Sequence, residues 1–187
     1  NTLNKKTKIE LFIYKILEKK KLLATLITIF VCILAAYSLI NVKNKNFQQE
    51  VSEKYYEAKI LIENSKNKEG LILLEEIVGD KNQTYSPLAL YLIVDKDLIK
   101  DKQEILKLFD QLLSIKKINK ENLNLIKIKK ALLLLNLGEE IELLNLLNPI
   151  INSESIWKNN AAKVLGDYFL FKGETIKSQN YYKMIKN

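Results

Sequence analysis

Residues 19–45, KKKLLATLITIFVCILAAYSLINVKNK, contain nineteen consecutive uncharged positions, 22–40, between two groups of lysines. Charged residues make up 28% of the chain, so an interruption of this length needs a physical reason. As a helix rising ~1.5 Å per residue, the run would be about 28 Å long, close to the roughly 30 Å hydrocarbon core of a bilayer. It is apolar on every side, whereas a helix of a soluble core usually keeps a polar face. The sequence therefore predicts a transmembrane helix over 22–40.

The distribution of lysine predicts how this helix is oriented. Residues 1–47 contain nine lysines and two acidic residues, whereas residues 48–187 contain twenty-one lysines and twenty acidic residues. Because lysines accumulate on the cytoplasmic side of spanning helices, we expect a basic cytoplasmic arm over 1–21. A linker over 41–47 and a folded domain over 48–187 would then lie across the membrane.

Two alternatives concern this N-terminal part. A cleaved signal peptide normally has a shorter apolar region and an A-x-A-like site, and Ala36-Tyr37-Ser38 fits that site poorly, which favours an uncleaved anchor. Apolar residues at helical spacing within 8–21 are typical of an amphipathic helix on anionic lipid. The same spacing is also compatible with a simple extension of the anchor.

The composition argues against several kinds of function. The chain has no histidine, which removes the commonest general base and a common metal ligand. Its one cysteine, Cys32, lies inside the apolar run, and no glycine-rich phosphate-binding motif is present. The excess positive charge belongs to the N-terminal arm and not to a basic patch with interleaved aromatic residues. We therefore expect no enzymatic activity, no cofactor or metal, no small-molecule substrate and no nucleic-acid partner.

Beyond residue 47 the apolar residues recur with a helical period. Asp101 and Asn119 have the character of helix N-caps, and Ser86-Pro87 resembles an N-cap followed by a proline in the first turn. Asn82-Gln83-Thr84 has the pattern of a glycan acceptor, but we interpret it as an ordinary polar loop. Gly138 and Gly173 stand where short turns need a residue with positive φ. The predicted helices are 48–65, 68–79, 86–96, 101–116, 119–136, 139–151, 155–171 and 174–186.

The last two predicted helices resemble a tetratricopeptide repeat. Residues 161–187, AAKVLGDYFLFKGETIKSQNYYKMIKN, contain small residues Gly166 and Ser178 where two helices would approach closely. Ala58 and Gly70 hold the corresponding positions in a weaker match. Ala131 holds the first position in another hairpin, where Leu143 occupies the place of the second small residue, and Ala89 is the candidate small residue of the remaining pair. The full set matched in the last pair is Leu165, Gly166, Phe169, Gly173, Ser178, Tyr182 and Ile185.

The resemblance implies a fold and a binding surface. The expected fold is all-α, with a single N-terminal transmembrane helix followed by a tetratricopeptide-repeat-like solenoid of about four helical hairpins, because stacked hairpins share one continuous core. An irregular helical bundle is the alternative. In the repeat pattern one set of residues faces a groove for protein partners; the alternative is that a neighbouring helix covers its apolar members. That set is Leu125, Ile128, Leu132, Leu135, Asn160, Lys163, Asp167 and Leu170.

The order of features resembles a known family. A basic arm and one anchor are followed by EKYYEAKILI (53–62), YSPLALYLI (85–93) and VLGDYFLFKGE (164–174). This arrangement is similar to the ancillary SecYEG translocon subunit family of bacteria. The resemblance implies an inner-membrane protein with a periplasmic domain, whose partners are translocon subunits, a periplasmic chaperone and exported chains. The expected function is to assist chaperoning or sorting of exported proteins, with a structural scaffold subunit of another envelope complex as the alternative.

Overall fold

The computed structural model describes residues 2–135, 137 and 140–185. Within this part of the chain every regular element is a helix and no strand is present, with helices accounting for 81% of residues. The all-α class is therefore confirmed. The eight helices are α1 (Thr2–Glu63), α2 (Asn67–Gly79), α3 (Tyr85–Asp95), α4 (Lys102–Leu113), α5 (Lys120–Leu134), α6 (Glu140–Ile151), α7 (Lys158–Phe171) and α8 (Thr175–Lys183).

Helix α1 differs most from the sequence-based expectation. It combines the predicted transmembrane helix and the first predicted helix of the domain into one element, so residues 41–47 are helical and do not form an extended linker. No glycine or proline occurs between residues 41 and 63, so nothing local interrupts the backbone hydrogen bonds. Two structural units divide between Gln49 and Glu50.

The first unit contains the apolar run. Every side chain from residue 22 to residue 40 is exposed, including Leu39 at 72%. The hydroxyls of Thr25 and Thr28 donate to the carbonyls of Lys21 and Ala24, each over 2.9 Å. These two polar groups are therefore satisfied within the helix, as an apolar surrounding requires. By length and composition, α1 is able to cross a membrane.

The second unit is built from helices that pack on their neighbours in the chain. From α2 onward each helix contacts the next, and further contacts join α2 to α4 and α5 to α7. The buried apolar side chains form two clusters. One surrounds Phe109 and extends from the end of α1 into α5, and the other surrounds Phe169 and extends mainly from α5 to α8. Leu133 packs against both clusters and marks where they meet.

Three of the helix–helix turns have the same backbone geometry. Ser65, Asp97 and Gly173 have φ values of 64°, 51° and 78°. In each turn the amide of this residue donates to the carbonyl three positions earlier in the chain. The amide of the following residue donates to the carbonyl five positions before itself. These paired bonds are a Schellman motif that ends the first helix of a hairpin. The positive φ predicted for Gly173 is confirmed, and Gly138 lies outside the described residues.

Small residues allow the paired helices to approach closely. Ser178 Oγ donates to the carbonyl of Gly166 over 2.8 Å, and a Cβ on Gly166 would lie 2.5 Å from the ring of Tyr182. In the first hairpin, a Cβ on Gly70 would lie 2.7 Å from Ile62 Cγ1 and 3.1 Å from the carbonyl oxygen of Ala58. The predicted role of glycine and serine at these crossings is therefore confirmed.

The helix N-termini are partly as predicted. Asp101 Oδ1 accepts from the amide of Gln103, and Asn119 Oδ1 accepts from the amide of Asn122; each hydrogen bond is 2.8 Å long. The predicted N-cap at Ser86 is wrong, because α3 already begins at Tyr85. The Ser86 hydroxyl instead donates to the carbonyl of Ile77 in α2.

Asn82 has a structural role that the sequence did not indicate. It is only 2% exposed, so its side chain is not an accessible glycan acceptor. Its Oδ1 accepts from the amides of Thr84 and Tyr85 over 2.9 and 3.0 Å, which satisfies donors at the start of α3. Residues 82–84 do form a polar turn between α2 and α3, and the buried Asn82 adds a capping role to it.

One buried lysine connects three helices. Lys130 of α5 is 5% exposed, and its Nζ lies 2.6 Å from Asp110 Oδ1 of α4 and 2.5 Å from Glu142 Oε1 of α6. Burial lowers the pKa of Lys130, but the hydrogen bonds to the two carboxylates outweigh this effect and raise it above its ordinary value. The ammonium is thus held in its charged form at the junction of α4, α5 and α6.

Candidate functional site: the face of the odd-numbered helices

The turns at Ser65, Asp97 and Gly173 define equivalent positions on α1, α3 and α7, and the sequence position of Gly138 gives the corresponding offsets on α5. The sequence-predicted site residues lie 13, 10, 6 and 3 positions before Gly138 on α5 and before Gly173 on α7. Ser65 and Asp97 occupy the same turn position as Gly173, so the same offsets apply on α1 and α3. We call the resulting surface the odd-helix face. Its members on α1 are Ser52, Tyr55, Lys59 and the buried Ile62; those of α3 are the buried Pro87, Tyr91 and Val94, with Thr84 just before the helix begins.

Contacts between these helices show that they lie side by side. The Tyr85 hydroxyl donates to Ser52 Oγ over 2.7 Å, and the rings of Tyr55 and Tyr85 are 5.7 Å apart, which joins α1 to α3. Lys129 Nζ of α5 lies 4.6 Å from the centre of the Tyr91 ring of α3. Helices α5 and α7 also pack on each other. These contacts make the odd-numbered helices of the second unit neighbours in the order α1, α3, α5 and α7.

The predicted α5 residues differ in their exposure. Leu132 is 47% exposed, whereas Leu125 and Leu135 are half-buried. Leu135 packs against the second core cluster. Ile128 is buried within that cluster, so neighbouring helices cover it and it is not a groove residue. Cover by neighbouring helices therefore applies to Ile128, while partner binding at the other three residues stays a prediction.

The predicted α7 residues are all exposed, and two of them pair with each other. Lys163 Nζ lies 2.7 Å from Asp167 Oδ2, and the Tyr182 hydroxyl donates to Asp167 Oδ1 over 2.6 Å. Partial burial raises the pKa of Asp167, but the hydrogen bonds from Lys163 and Tyr182 outweigh this and lower it below its ordinary value. Because Lys163 and Asp167 neutralise each other, the side chains that this end of the face presents to a partner are the exposed amide of Asn160 and the exposed apolar group of Leu170.

A cavity of about 230 Å³ opens between α3 and α5 on the odd-helix face. Val94 and Leu132 stand on opposite sides of it and remain 37% and 47% exposed. The buried ring of Phe109 contributes from α4, and burial raises the pKa of the Tyr91 hydroxyl to about 12. The cavity is mainly apolar, with charged groups supplied by two residues. Its lining consists of Tyr91, Val94, Asp95, Phe109, Lys129, Leu132 and Leu133.

The location of the cavity follows from the division of the core. Leu133, which packs against both core clusters, is one of its lining residues. Within the described residues, α3 and α5 meet across this boundary through few contacts, whereas α5 and α7 pack directly. The cavity therefore lies where the packing of one cluster ends and that of the next begins.

Sequence reasoning found Leu132 but missed Tyr91 and Val94. The reason is that the turn after α3 contains Asp97 in place of the glycine that marks the later turns. The sequence therefore did not show that α3 and α4 form a hairpin equivalent to α7 and α8. Aspartate is one of the few side chains that adopt positive φ at modest cost. An apolar run that ends shortly before an aspartate was therefore a usable signal for the turn.

The described residues include no group of three or more histidine, cysteine, aspartate or glutamate side chains placed to hold a metal ion. No protein-family model and no curated protein matches this chain. Its class therefore follows from the fold alone: it is an all-helical protein with one N-terminal helix long and apolar enough to cross a membrane.

Proposed function

We propose that this protein is a membrane-anchored helical-repeat module that binds other proteins on its odd-helix face. The repeat is supported by three identical turns at Ser65, Asp97 and Gly173 and by the matching close crossings in the first and last hairpins. Ser65 and Asp97 are 32 positions apart, and Gly138 and Gly173 are 35 apart, which is the scale of a tetratricopeptide repeat, about 34 residues. The proposed architecture is a solenoid of about four helical hairpins.

The proposed location is the bacterial inner membrane, with the N-terminus in the cytoplasm and the domain in the periplasm. The support is the uncovered apolar surface of residues 22–40 together with the excess of lysines before that run. A spanning helix explains both features, because lipid solvates the apolar side chains and the flanking lysines stay on the cytoplasmic side.

The proposed activity is to assist chaperoning or sorting of exported proteins near the translocon. The observation that carries it is the odd-helix face, where large apolar side chains remain exposed beside an open apolar cavity. A newly exported chain is extended and displays apolar side chains that such a surface can cover. The identity of the partners, namely translocon subunits and a periplasmic chaperone, rests on the family resemblance.

Photo-crosslinking in intact cells tests this function. A photoreactive amino acid at Leu132 or Leu170 is expected to form adducts with translocon subunits and newly exported chains. Ile72 is the matched control, since it is also apolar and 57% exposed but lies on α2, outside the odd-helix face. Equal adduct yields at all three positions, or no adducts at Leu132 and Leu170, would contradict the proposal.

A scaffold role in another envelope complex has one observation in its favour. Phe171, Ile176 and Ile141 are 90%, 79% and 77% exposed. Lys172, next to Phe171, and Lys177, next to Ile176, both pair with Glu140, which places these apolar residues around one end of the second unit. Crosslinks from Phe171 to a single stable complex, without adducts to exported chains at Leu132, would support the scaffold instead.

A further inference from the structure

We propose that the cavity between α3 and α5 binds one large apolar side chain of an extended polypeptide. This inference rests on the proposed function and specifies how the odd-helix face would hold its ligand. The lining combines the exposed apolar side chains of Val94 and Leu132 with the buried ring of Phe109.

The volume of the cavity suits a single side chain better than a whole small molecule. Sites that enclose a whole drug-sized molecule have volumes of about 300–1,000 Å³, whereas this cavity has about 230 Å³. One phenylalanine or leucine side chain is a ligand of the appropriate scale, with the rest of its chain lying outside on the odd-helix face. Burial of such a group corresponds to an affinity gain of about tenfold to a hundredfold.

The charged groups of the lining favour a peptide over a lipid. Asp95 is exposed and contributes hydrogen-bond acceptors, while Lys129, held over the Tyr91 ring, contributes donors. A peptide backbone presents both N–H and C=O groups and so complements both side chains. A fatty acyl chain has neither group, so along its length it would satisfy neither side chain.

The test uses the full chain in nanodiscs and two fluorescent peptides. Both are Ser/Asn peptides of about ten residues, one with a central phenylalanine and the other with alanine at that position. We expect the phenylalanine peptide to bind at least about tenfold more tightly. The variant Leu132→Trp, which fills the cavity, should bring the two affinities together, while Leu170→Trp on the same face should leave their ratio unchanged.

Other results would overturn the inference. If Leu132→Trp raises the melting temperature and the ratio of affinities stays as in the parent chain, the cavity is a packing gap and not a binding site. If dodecanoate binds and neither peptide displaces it, the cavity accepts an acyl chain instead. Equal affinity for the two peptides, with crosslinks at Leu132 still present in cells, would refute the side-chain pocket and leave the proposed function standing. If no crosslinks form at Leu132 in cells, the proposed function itself is refuted.

Discussion

At the scale of single residues, small side chains decide how closely the paired helices approach. Gly166 sits under the ring of Tyr182, and Ser178 bonds to the Gly166 carbonyl across the same crossing. Gly70 has the same role against Ala58 and Ile62 in the first hairpin. Because an added methyl group at these points has no free volume to enter, the identity of the residue sets the distance between the helices.

Replacing Gly166 by alanine tests this claim. The new Cβ would lie 2.5 Å from the Tyr182 ring, so either that ring must leave its place and its hydrogen bond to Asp167 or the helices must move apart, at a cost of about 1–3 kcal/mol. That cost exceeds the ~0.5–1 kcal/mol that alanine gains over glycine in a helix. We expect a melting temperature lower by several degrees, measured by circular dichroism on the full chain in detergent.

Gly79→Ala is the matched control. Gly79 also lies in a helix, but a Cβ there meets no atom within 4 Å, so we expect an unchanged or slightly raised melting temperature. Equal effects of the two substitutions would show that Gly166 has no special packing role.

At the scale of helices, Lys130 adds ion pairs to the apolar contacts that α5 already makes with α4 and α6. It connects α5 to α4 through Asp110 and to α6 through Glu142, close to the meeting point of the clusters. A buried ammonium is favourable only where both hydrogen bonds and opposite charges compensate its lost hydration. Lys130 has both, so it contributes to the relative placement of the three helices.

Lys130→Met should therefore destabilise the protein. Asp110 and Glu142 are 61% and 40% exposed at their side chains, so water can solvate them after the substitution. The expected cost is the loss of charged hydrogen bonds, about 1–3 kcal/mol, and not the larger penalty of an unpaired buried charge. Urea unfolding in detergent at pH 8 measures it, with exposed Lys107→Met as the control that changes stability by less than about 0.5 kcal/mol.

The same pair of proteins gives a pH dependence. Because the folded-state pKa of Lys130 is raised above 10.5, its contribution is complete below that pH and is lost as the pH rises through the folded value. The parent chain should lose more stability than Lys130→Met on going from pH 8 to strongly alkaline buffer. Parallel losses in both proteins would mean that Lys130 is not held in its charged form by the fold.

At the scale of the whole molecule, the uneven charge and the apolar run act together. The excess of lysine precedes residues 22–40, and the larger unit is nearly neutral. The proposed topology uses this separation, since it keeps the basic part on one side of the bilayer and leaves the apolar part to be solvated by lipid.

A double substitution tests the anchor. Ile29→Lys with Ile33→Lys places two charges near the middle of the run, each costing about 2.5–3.5 kcal/mol on insertion scales. We expect the parent chain to remain in the membrane pellet after an alkaline carbonate wash and the double variant to be released. Ile60→Lys, at an exposed site of the second unit, is the control that should stay in the pellet.

Protease added to spheroplasts tests the proposed orientation in the same samples. The second unit should be digested from outside while the N-terminal arm is protected. Digestion of the second unit only after the inner membrane is opened, or recovery of the parent chain in the soluble fraction, would contradict the assigned topology or the anchor respectively.

The sequence alone determined the features that depend on neighbouring residues. It predicted the helices of the second unit to within a few residues, the apolar run, the caps at Asp101 and Asn119 and the positive φ of Gly173, because local backbone and hydropathy preferences decide each of these. The expected break at 41–47 failed for the same local reason, since that segment contains no helix-breaking residue.

The tertiary structure decided which side chains meet. It buried Ile128 and left Leu132 exposed, brought Tyr91 and Val94 beside Leu132, and placed Lys130 between carboxylates from two other helices. Each outcome depends on contacts between helices distant in the chain, and periodicity assigns a residue to a helix face without stating what packs against it. The cavity on the odd-helix face is therefore a product of packing, while the helices that surround it are a product of the local sequence.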